Sequence, residues 1–100
     1  MISREIIKQL AAEELVSANE QHGQTFNSPH EAYAVLMEEV EEVIDEFSEV
    51  GRCLKDFWIC VKEDANGSAE LDTLKRNAIS CVQEMIQVVA MCDKALKLYE

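Results

Sequence analysis

The sequence EEVEE, which begins at Glu38, concentrates carboxylates in a stretch with the spacing of a helix. Five glutamates fall between Glu31 and Glu42. Glu39 and Glu42 are three positions apart, so their side chains project from neighbouring turns of one helix. Glu38 and Glu41 repeat this spacing. Two carboxylates placed in this way can share a divalent cation, and oxygen ligands favour Mg²⁺ or Mn²⁺ over Zn²⁺.

A pair of carboxylates on one helix is not a complete site, because Mg²⁺ held by a protein usually also binds substrate phosphates. A second helix has to contribute, and Glu84 is the candidate. It stands beside Met85 and Val88 in an apolar segment, where a lone carboxylate would be costly to bury. Two interpretations stay open: a solvated acidic face, as glutamate-rich helices usually have, or a metal-binding cluster completed by Glu84.

Composition favours one all-α domain that covers residues 1–100. The chain has 100 residues, of which 48% are hydrophobic, with only three glycines and one proline. That length suits a single core, and the scarcity of helix breakers favours helices throughout. The net charge of −11 argues against binding to DNA or to a membrane surface, because both are polyanions.

The location of the protein is predicted from its first residues and its cysteines. Charged residues interrupt the N-terminal segment every few positions, so it resembles neither a signal peptide nor a membrane span. The four cysteines lack the CxxC pairs of a zinc site and are expected to be reduced thiols that pack as small apolar residues. We therefore expect a cytoplasmic protein.

Three segments carry the signals of helices. Ser3 can cap the first, and Ser28 followed by Pro29 and Glu31 forms a capping box for the second. The predicted helices run from 3 to 20, from Pro29 to at least Phe47 with an extension to Asp64 if Gly51 is tolerated, and from about Ala69 to Leu98. The sequence thus predicts a bundle of three to four helices.

The third helix has more apolar surface than a small monomer can cover. Its main stripe is flanked by further apolar positions, so that more than half of its circumference is apolar: Ile79, Cys81, Val82, Met85, Ile86, Val88, Val89, Cys92 and Leu96. A helix of this kind is buried on several sides. We therefore expect a bundle that is completed by a second subunit, as a homodimer or homotetramer.

Two stretches of the chain resemble a known family. FNSPHEAYAVLMEEVEEVIDE is similar to the motif region of the MazG-like, all-α nucleoside triphosphate pyrophosphohydrolases, particularly their small stand-alone forms in phages and bacteria. VQEMIQVVAMCDKAL is similar to the last helix of that subgroup. The residues that carry the resemblance are Asn27, Ser28, His30, Glu31, Glu38, Glu39, Glu42, Glu84, Ile86, Gln87, Ala90 and Met91. The resemblance spans about residues 5–98.

The resemblance implies a dimerising helical bundle in which acidic residues of two helices hold Mg²⁺, with Mn²⁺ as a substitute. The substrate would be a nucleoside triphosphate, cleaved by water to a nucleoside monophosphate and pyrophosphate. Glu39 and Glu42 match the first Glu-x-x-Glu of the family, Glu38 the acid before it, and Glu84 the first acid of the later Glu-x-x-Asp. The expected metal ligands are therefore Glu39, Glu42 and Glu84, and the expected catalytic residues are Glu38 and Glu39.

Gln87 departs from the family pattern, because it stands where the later motif has its aspartate. An amide oxygen can bind Mg²⁺, but it brings no charge and cannot act as a base. Gln87 is thus expected to be a weakened ligand, and it motivates an alternative function: a catalytically silent bundle that binds nucleotides or proteins. Lys55 and Arg76 are candidates for binding substrate phosphates, against the ordinary alternative of surface ion pairs.

Overall fold

A computed structural model describes all 100 residues as three helices without strands. Helix α1 spans Arg4–His22, α2 spans Pro29–Lys62 and α3 spans Ser68–Leu96, followed by a short 3₁₀ turn at Lys97–Tyr99. The predicted all-α fold is confirmed. No helix combines the length and the apolar character that crossing a bilayer requires.

Helices α1 and α2 begin where the capping residues predict, whereas α3 begins after Gly67 without a side-chain cap. The Ser3 hydroxyl accepts a hydrogen bond from the backbone N–H of Ile6 at 3.2 Å. The Ser28 hydroxyl accepts from the N–H of Glu31 at 3.2 Å, and the Glu31 carboxylate accepts in return from the backbone and the side chain of Asn27. These bonds satisfy N–H groups that the first turn of a helix leaves without partners. The start of α2 is therefore fixed locally.

Helix α2 continues through Gly51 without a break. At 1.5 Å per residue its 34 residues span about 50 Å. A helix loses only about 1 kcal/mol at an internal glycine, and packing along α3 offsets this cost. The chain therefore has three helices, the lower number of the predicted range.

The connection between α2 and α3 is a short turn in which a glycine is required. The side-chain oxygen of Asn66 accepts a hydrogen bond from the backbone N–H of Ser68 at 2.9 Å. A Cβ atom at Gly67 would approach the ring of Phe57 to 2.7 Å, closer than carbon atoms can come. The missing side chain therefore lets the start of α3 lie against the end of α2.

The buried core lies at one end of the molecule. Helix α3 packs along α2 and also against α1. The core joins residues from all three helices and from the α1–α2 connection: Ala11, Phe26, Ala32, Ala90 and Met91. Three of these are alanines, which lets the helix backbones approach closely. This core holds the last turns of α3 against the beginning of α2.

The chain as a whole is extended and its core is small. Its extents are 57 × 27 × 21 Å, and its radius of gyration is 17.3 Å, where a compact domain of this length has about 13 Å. It exposes 7370 Å², where a compact monomer of its mass exposes roughly 5,700 Å². Only eight residues are buried. This shape is consistent with an oligomeric bundle.

Candidate metal centre

Three glutamates from two distant parts of the sequence come together where α2 and α3 pack. Carboxylate oxygens of Glu39, Glu42 and Glu84 all lie within 4.8 Å of one another. Helix α2 supplies the first two from adjacent turns, and α3 supplies the third from across the helix interface. Three carboxylates that converge in this way form a candidate site for a hard divalent cation.

Burial and like charges make ionisation of Glu39 unfavourable. Partial burial raises the pKa of Glu39, and the negative charges of Glu42, Glu38 and Glu14 raise it further. Its Oε2 atom is also shielded from solvent and has no hydrogen-bond partner. A buried carboxylate oxygen without a partner is costly, and a proton or a bound cation would remove that cost.

The pKa of the Glu84 carboxyl group is raised in the folded protein. A hydrogen bond with Glu42 raises the pKa of Glu84 to about 7, and burial and the charges of Glu42, Glu39 and Glu46 act in the same direction. Carboxylates within 4.8 Å of one another repel when they are ionised, so the folded protein favours the protonated form of Glu84. A divalent cation would replace that proton and let both groups ionise.

No basic side chain neutralises the three glutamates. Every ion pair of the chain lies elsewhere, on exposed surfaces of single helices: Lys8–Glu5, Arg52–Glu49, Arg52–Asp56 and Arg76–Asp72. The cluster is therefore compensated only by solvent, by retained protons or by a cation. Ion pairs with lysine or arginine, the usual way to compensate carboxylates, do not occur at these three glutamates.

A cleft of about 510 Å³ opens beside the cluster, between α1 and the packed pair of α2 and α3. Glu39 and Gln87 border it at the level of the cluster. Phe26 and Lys94 border it further along, near the end of α3. A smaller groove on the other side of Gln87 contains Glu84. Glu39 and Glu84 thus border open space large enough for a small molecule, whereas Glu42 lines neither the cleft nor the groove.

The structure separates the predicted site residues into two groups. Glu38 borders the cleft but is not one of the three convergent glutamates, and Gln87 borders it from α3. Lys55 and Arg76 do not line the cleft. Lys55 is exposed in the second half of α2, and the Arg76 guanidinium is 3.2 Å from the carboxylate of Asp72. These two bases occupy positions typical of surface residues.

Two cleft residues, Glu14 and Lys94, were not predicted from the sequence. Glu14 borders the cleft from α1, and its charge contributes to the raised pKa of Glu39. Lys94 is buried. A sequence signal for Lys94 exists, because it follows Gln87 and Met91 at helical spacing on a largely apolar face. Nothing in the sequence points to Glu14, since it is one of several glutamates on the first helix.

Comparison of the chain with known families, with curated proteins and with solved structures finds no match. The fold and the site therefore define its class by themselves. It is an all-α, three-helix protein with an acidic glutamate cluster that forms a candidate metal site.

Glu84 makes a specific prediction for the pH dependence of stability without metal. Its pKa in the folded state, about 7, lies above its ordinary value of 4.5, so the folded protein binds more protons than the unfolded chain between these values. Stability should therefore fall as the pH rises from about 5 to 7 and then level off. Urea unfolding in EDTA measures this. Glu84→Gln should flatten the dependence, and Glu41→Gln, at an exposed acid outside the cluster, should leave it unchanged. Parallel plots of stability against pH for the wild type and Glu84→Gln would contradict the raised pKa of Glu84.

A second prediction concerns the response to metal. A cation that binds only the folded state at a hundredfold excess over its Kd stabilises it by about 2.7 kcal/mol. For about 100 residues each kcal/mol raises Tm by about 4–8 °C. For a Kd of about 10 µM, Mn²⁺ or Mg²⁺ at about 1 mM should thus raise Tm by roughly 11–22 °C, and more at pH 8 than at pH 6, because metal and proton compete at Glu84.

The matched variants assign that response to the cluster. Glu39→Gln and Glu42→Gln should each remove most of the rise in Tm, whereas Glu41→Gln should keep it. Ionic strength is held constant with a monovalent salt, so that general screening is excluded. Equal Tm values with and without Mn²⁺ would show that the cluster is an ordinary solvated face.

Proposed function

We propose that this protein is a Mg²⁺-dependent nucleoside triphosphate pyrophosphohydrolase of the MazG-like kind, which releases a nucleoside monophosphate and pyrophosphate. The observation that carries the proposal is the convergence of Glu39, Glu42 and Glu84 beside an open cleft. The resemblance of the motif stretches supports the same assignment, because it selects these three residues from the 20 acids of the chain.

The residues present fit a hard divalent cation. All three ligands are carboxylates, no basic side chain competes for them, and the Oε2 atom of Glu39 has no other partner. Glu39, Glu42 and Glu84 would hold Mg²⁺ or Mn²⁺, which supplies the positive charge that an acidic cleft needs to accept a triphosphate and that favours ionisation of a bound water. Of the basic side chains only His22 and Lys94 line the cleft, and neither forms an ion pair with the three glutamates.

Glu38 and Glu39 are proposed to act on the reacting water. Glu38 is exposed at the cleft and lies next in sequence to a metal ligand, so its carboxylate can accept a proton there. The water oxygen forms a bond to phosphorus, the bond between the α- and β-phosphates breaks, and the water proton passes to the carboxylate. Glu39 would act mainly as a metal ligand that helps to orient the reacting water.

Gln87 favours a second candidate, a bundle that binds nucleotides without cleaving them. It borders the cleft beside Glu39, at the position where the resembling family has an aspartate. Its amide can donate and accept hydrogen bonds but adds no negative charge. Binding without turnover is the outcome expected if a fourth carboxylate is essential.

Pyrophosphate release distinguishes the two candidates. Incubation with a panel of NTPs and dNTPs in Mg²⁺ or Mn²⁺ should release pyrophosphate above a metal-free control. Glu39→Gln should reduce the rate at least a hundredfold, because it removes a ligand with a formal charge, and Glu41→Gln should not. Gln87→Asp should increase the activity by restoring the carboxylate. No release at high protein concentration, together with nucleotide binding, would select the silent bundle.

We also propose that the chain assembles as a homodimer, or as a tetramer built from such dimers. A wholly apolar groove of about 490 Å³ runs between α1, α2 and α3 and includes Leu10, Phe47, Val82 and Met85. Phe47 is 66% exposed and Val82 is 58% exposed, so the monomer leaves large apolar side chains in water. The surface in excess of a compact monomer is of the order that a stable interface buries, about 800 Å² for each partner or more. A second copy offers the same apolar surface, as a two-fold interface requires.

Sedimentation equilibrium at micromolar concentration should therefore give at least twice the mass of 11.3 kDa. Val82→Glu should shift the equilibrium to monomer and lower Tm, because it places a charge in the apolar interface. Val16→Glu is the matched control, since Val16 is also an exposed valine, 61% accessible, and does not line the groove. A folded wild-type monomer at this concentration would refute the assembly.

A further inference from the structure

Lys94 is a buried cation that no carboxylate neutralises. It is 3% exposed, although it lies in the last turns of α3. Its Nζ atom donates a hydrogen bond to the carbonyl oxygen of Gly23 at 2.9 Å and lies 4.8 Å from the centre of the Phe26 ring. None of the ion pairs of the chain includes it, in a protein with 20 acids.

The burial of this ammonium group is unusual, because lysine is almost never buried without a paired charge. An ammonium has three N–H donors and no acceptor. The Gly23 carbonyl takes one donor and the Phe26 ring offers its electron-rich face, which leaves donor capacity without an acceptor in the chain. Lys94 borders the same cleft as Glu39 and Gln87. Lys94 therefore contributes to the wall of the cleft.

Gln87 and Lys94 border the cleft at two levels of α3, as an elongated ligand would require. Gln87 and Lys94 are seven positions apart on α3, a rise of about 10 Å. A nucleoside triphosphate whose phosphates lie at the glutamates would extend its sugar and base along the cleft toward Lys94. Val35, Phe26 and Met91 provide apolar surface at this end, as the faces of a base require.

We propose that Lys94 is a specificity-determining residue that donates a hydrogen bond to a carbonyl oxygen of the nucleobase. This assignment rests on the proposed function, because it uses the phosphate position at the glutamates to orient the ligand. An ammonium is only a hydrogen-bond donor. It can therefore bind a ring carbonyl, but it cannot hydrogen-bond to an amino group at the same ring position. A site built to hydrogen-bond a substrate group discriminates strongly against an analogue that lacks it.

Matched nucleotide pairs test the assignment directly. ITP and ATP carry a carbonyl and an amino group at the same purine position, as do UTP and CTP at the same pyrimidine position. Their α,β-methylene analogues are not cleaved between these phosphates, so calorimetry in Mn²⁺ measures binding alone. The carbonyl member of at least one pair should bind tenfold or more tightly, and Lys94→Met should remove this preference. Inorganic tripolyphosphate, which has no base, should bind both proteins equally.

The matched control is Lys97→Met, because Lys97 is an exposed lysine one turn further along the chain. It should retain the preference. No preference in either pair, or a preference that persists in Lys94→Met, would overturn the assignment. A purely structural role for Lys94 would instead weaken tripolyphosphate binding and lower Tm without changing the ratio within a pair, which also overturns it.

A metal-free experiment keeps this test independent of the proposed function and of the folding of the variant. Wild-type protein with ¹³C-labelled lysine is titrated in EDTA with inosine and adenosine and, separately, with uridine and cytidine. In at least one pair the carbonyl nucleoside should shift the resonances of the Lys94 side chain, assigned by substitution, more strongly than the amino nucleoside. If tripolyphosphate fails to bind with Mn²⁺ and this difference is still seen, the metal-dependent function is wrong and the role of Lys94 stands. Equal effects within both pairs would overturn the role of Lys94.

Discussion

The packing of α3 along α2 is the interaction on which the other features of this protein depend. The short turn at Gly67 reverses the chain so closely that a single added carbon would collide with Phe57. From that turn the two helices run back along each other, and their register places Glu84 opposite Glu39 and Glu42. The same register brings Ala90 and Met91 against Ala32 and Phe26, where the core lies. The acidic cluster and the core are thus set by one helix pairing.

That pairing brings like charges together, and no basic side chain of the protein forms an ion pair with the three glutamates. The consequences are visible in the raised pKa values of Glu84 and Glu39 and in the Glu39 oxygen that lacks a partner. Core contacts of Ala90 and Met91 on α3 with Ala32 on α2 hold the helices in place despite the repulsion. Carboxylates with raised pKa values are typical of functional positions. Their mutual repulsion is costly without a ligand, and their attraction to a bound cation would offset it.

The cleft combines two opposite electrostatic environments over a short distance. One end contains glutamates that are suited to a cation, and the other contains a buried ammonium that is suited to a hydrogen-bond acceptor. A ligand that satisfies both has an anionic group able to bind through a metal ion and, about 10 Å away, a neutral group with an exposed carbonyl. Nucleotides have this order of groups. The apolar groove on another face of the helices is separate from this site.

Local features of the sequence determined the helices and one half of the site. Capping by Ser3 and Ser28 depends on residues three positions away, so the starts of α1 and α2 could be predicted, as could the Glu39–Glu42 pair on adjacent turns. The excess of apolar positions on α3 also indicated an incomplete core. Glu84 as the third acid was selected by its apolar neighbours and by the family resemblance, whereas its distance to the other two had to come from the structure.

Only the tertiary structure decided how the helices face one another. Whether α2 broke at Gly51 depended on packing with α3, which an intrinsic preference of about 1 kcal/mol could not settle. The raised pKa of Glu84, the burial of Lys94 and the contribution of Glu14 arise between helices that are far apart in sequence. The physical reason is that helical periodicity is local and assigns a residue to a face, while the register and rotation of packed helices follow from side-chain fit over their whole length.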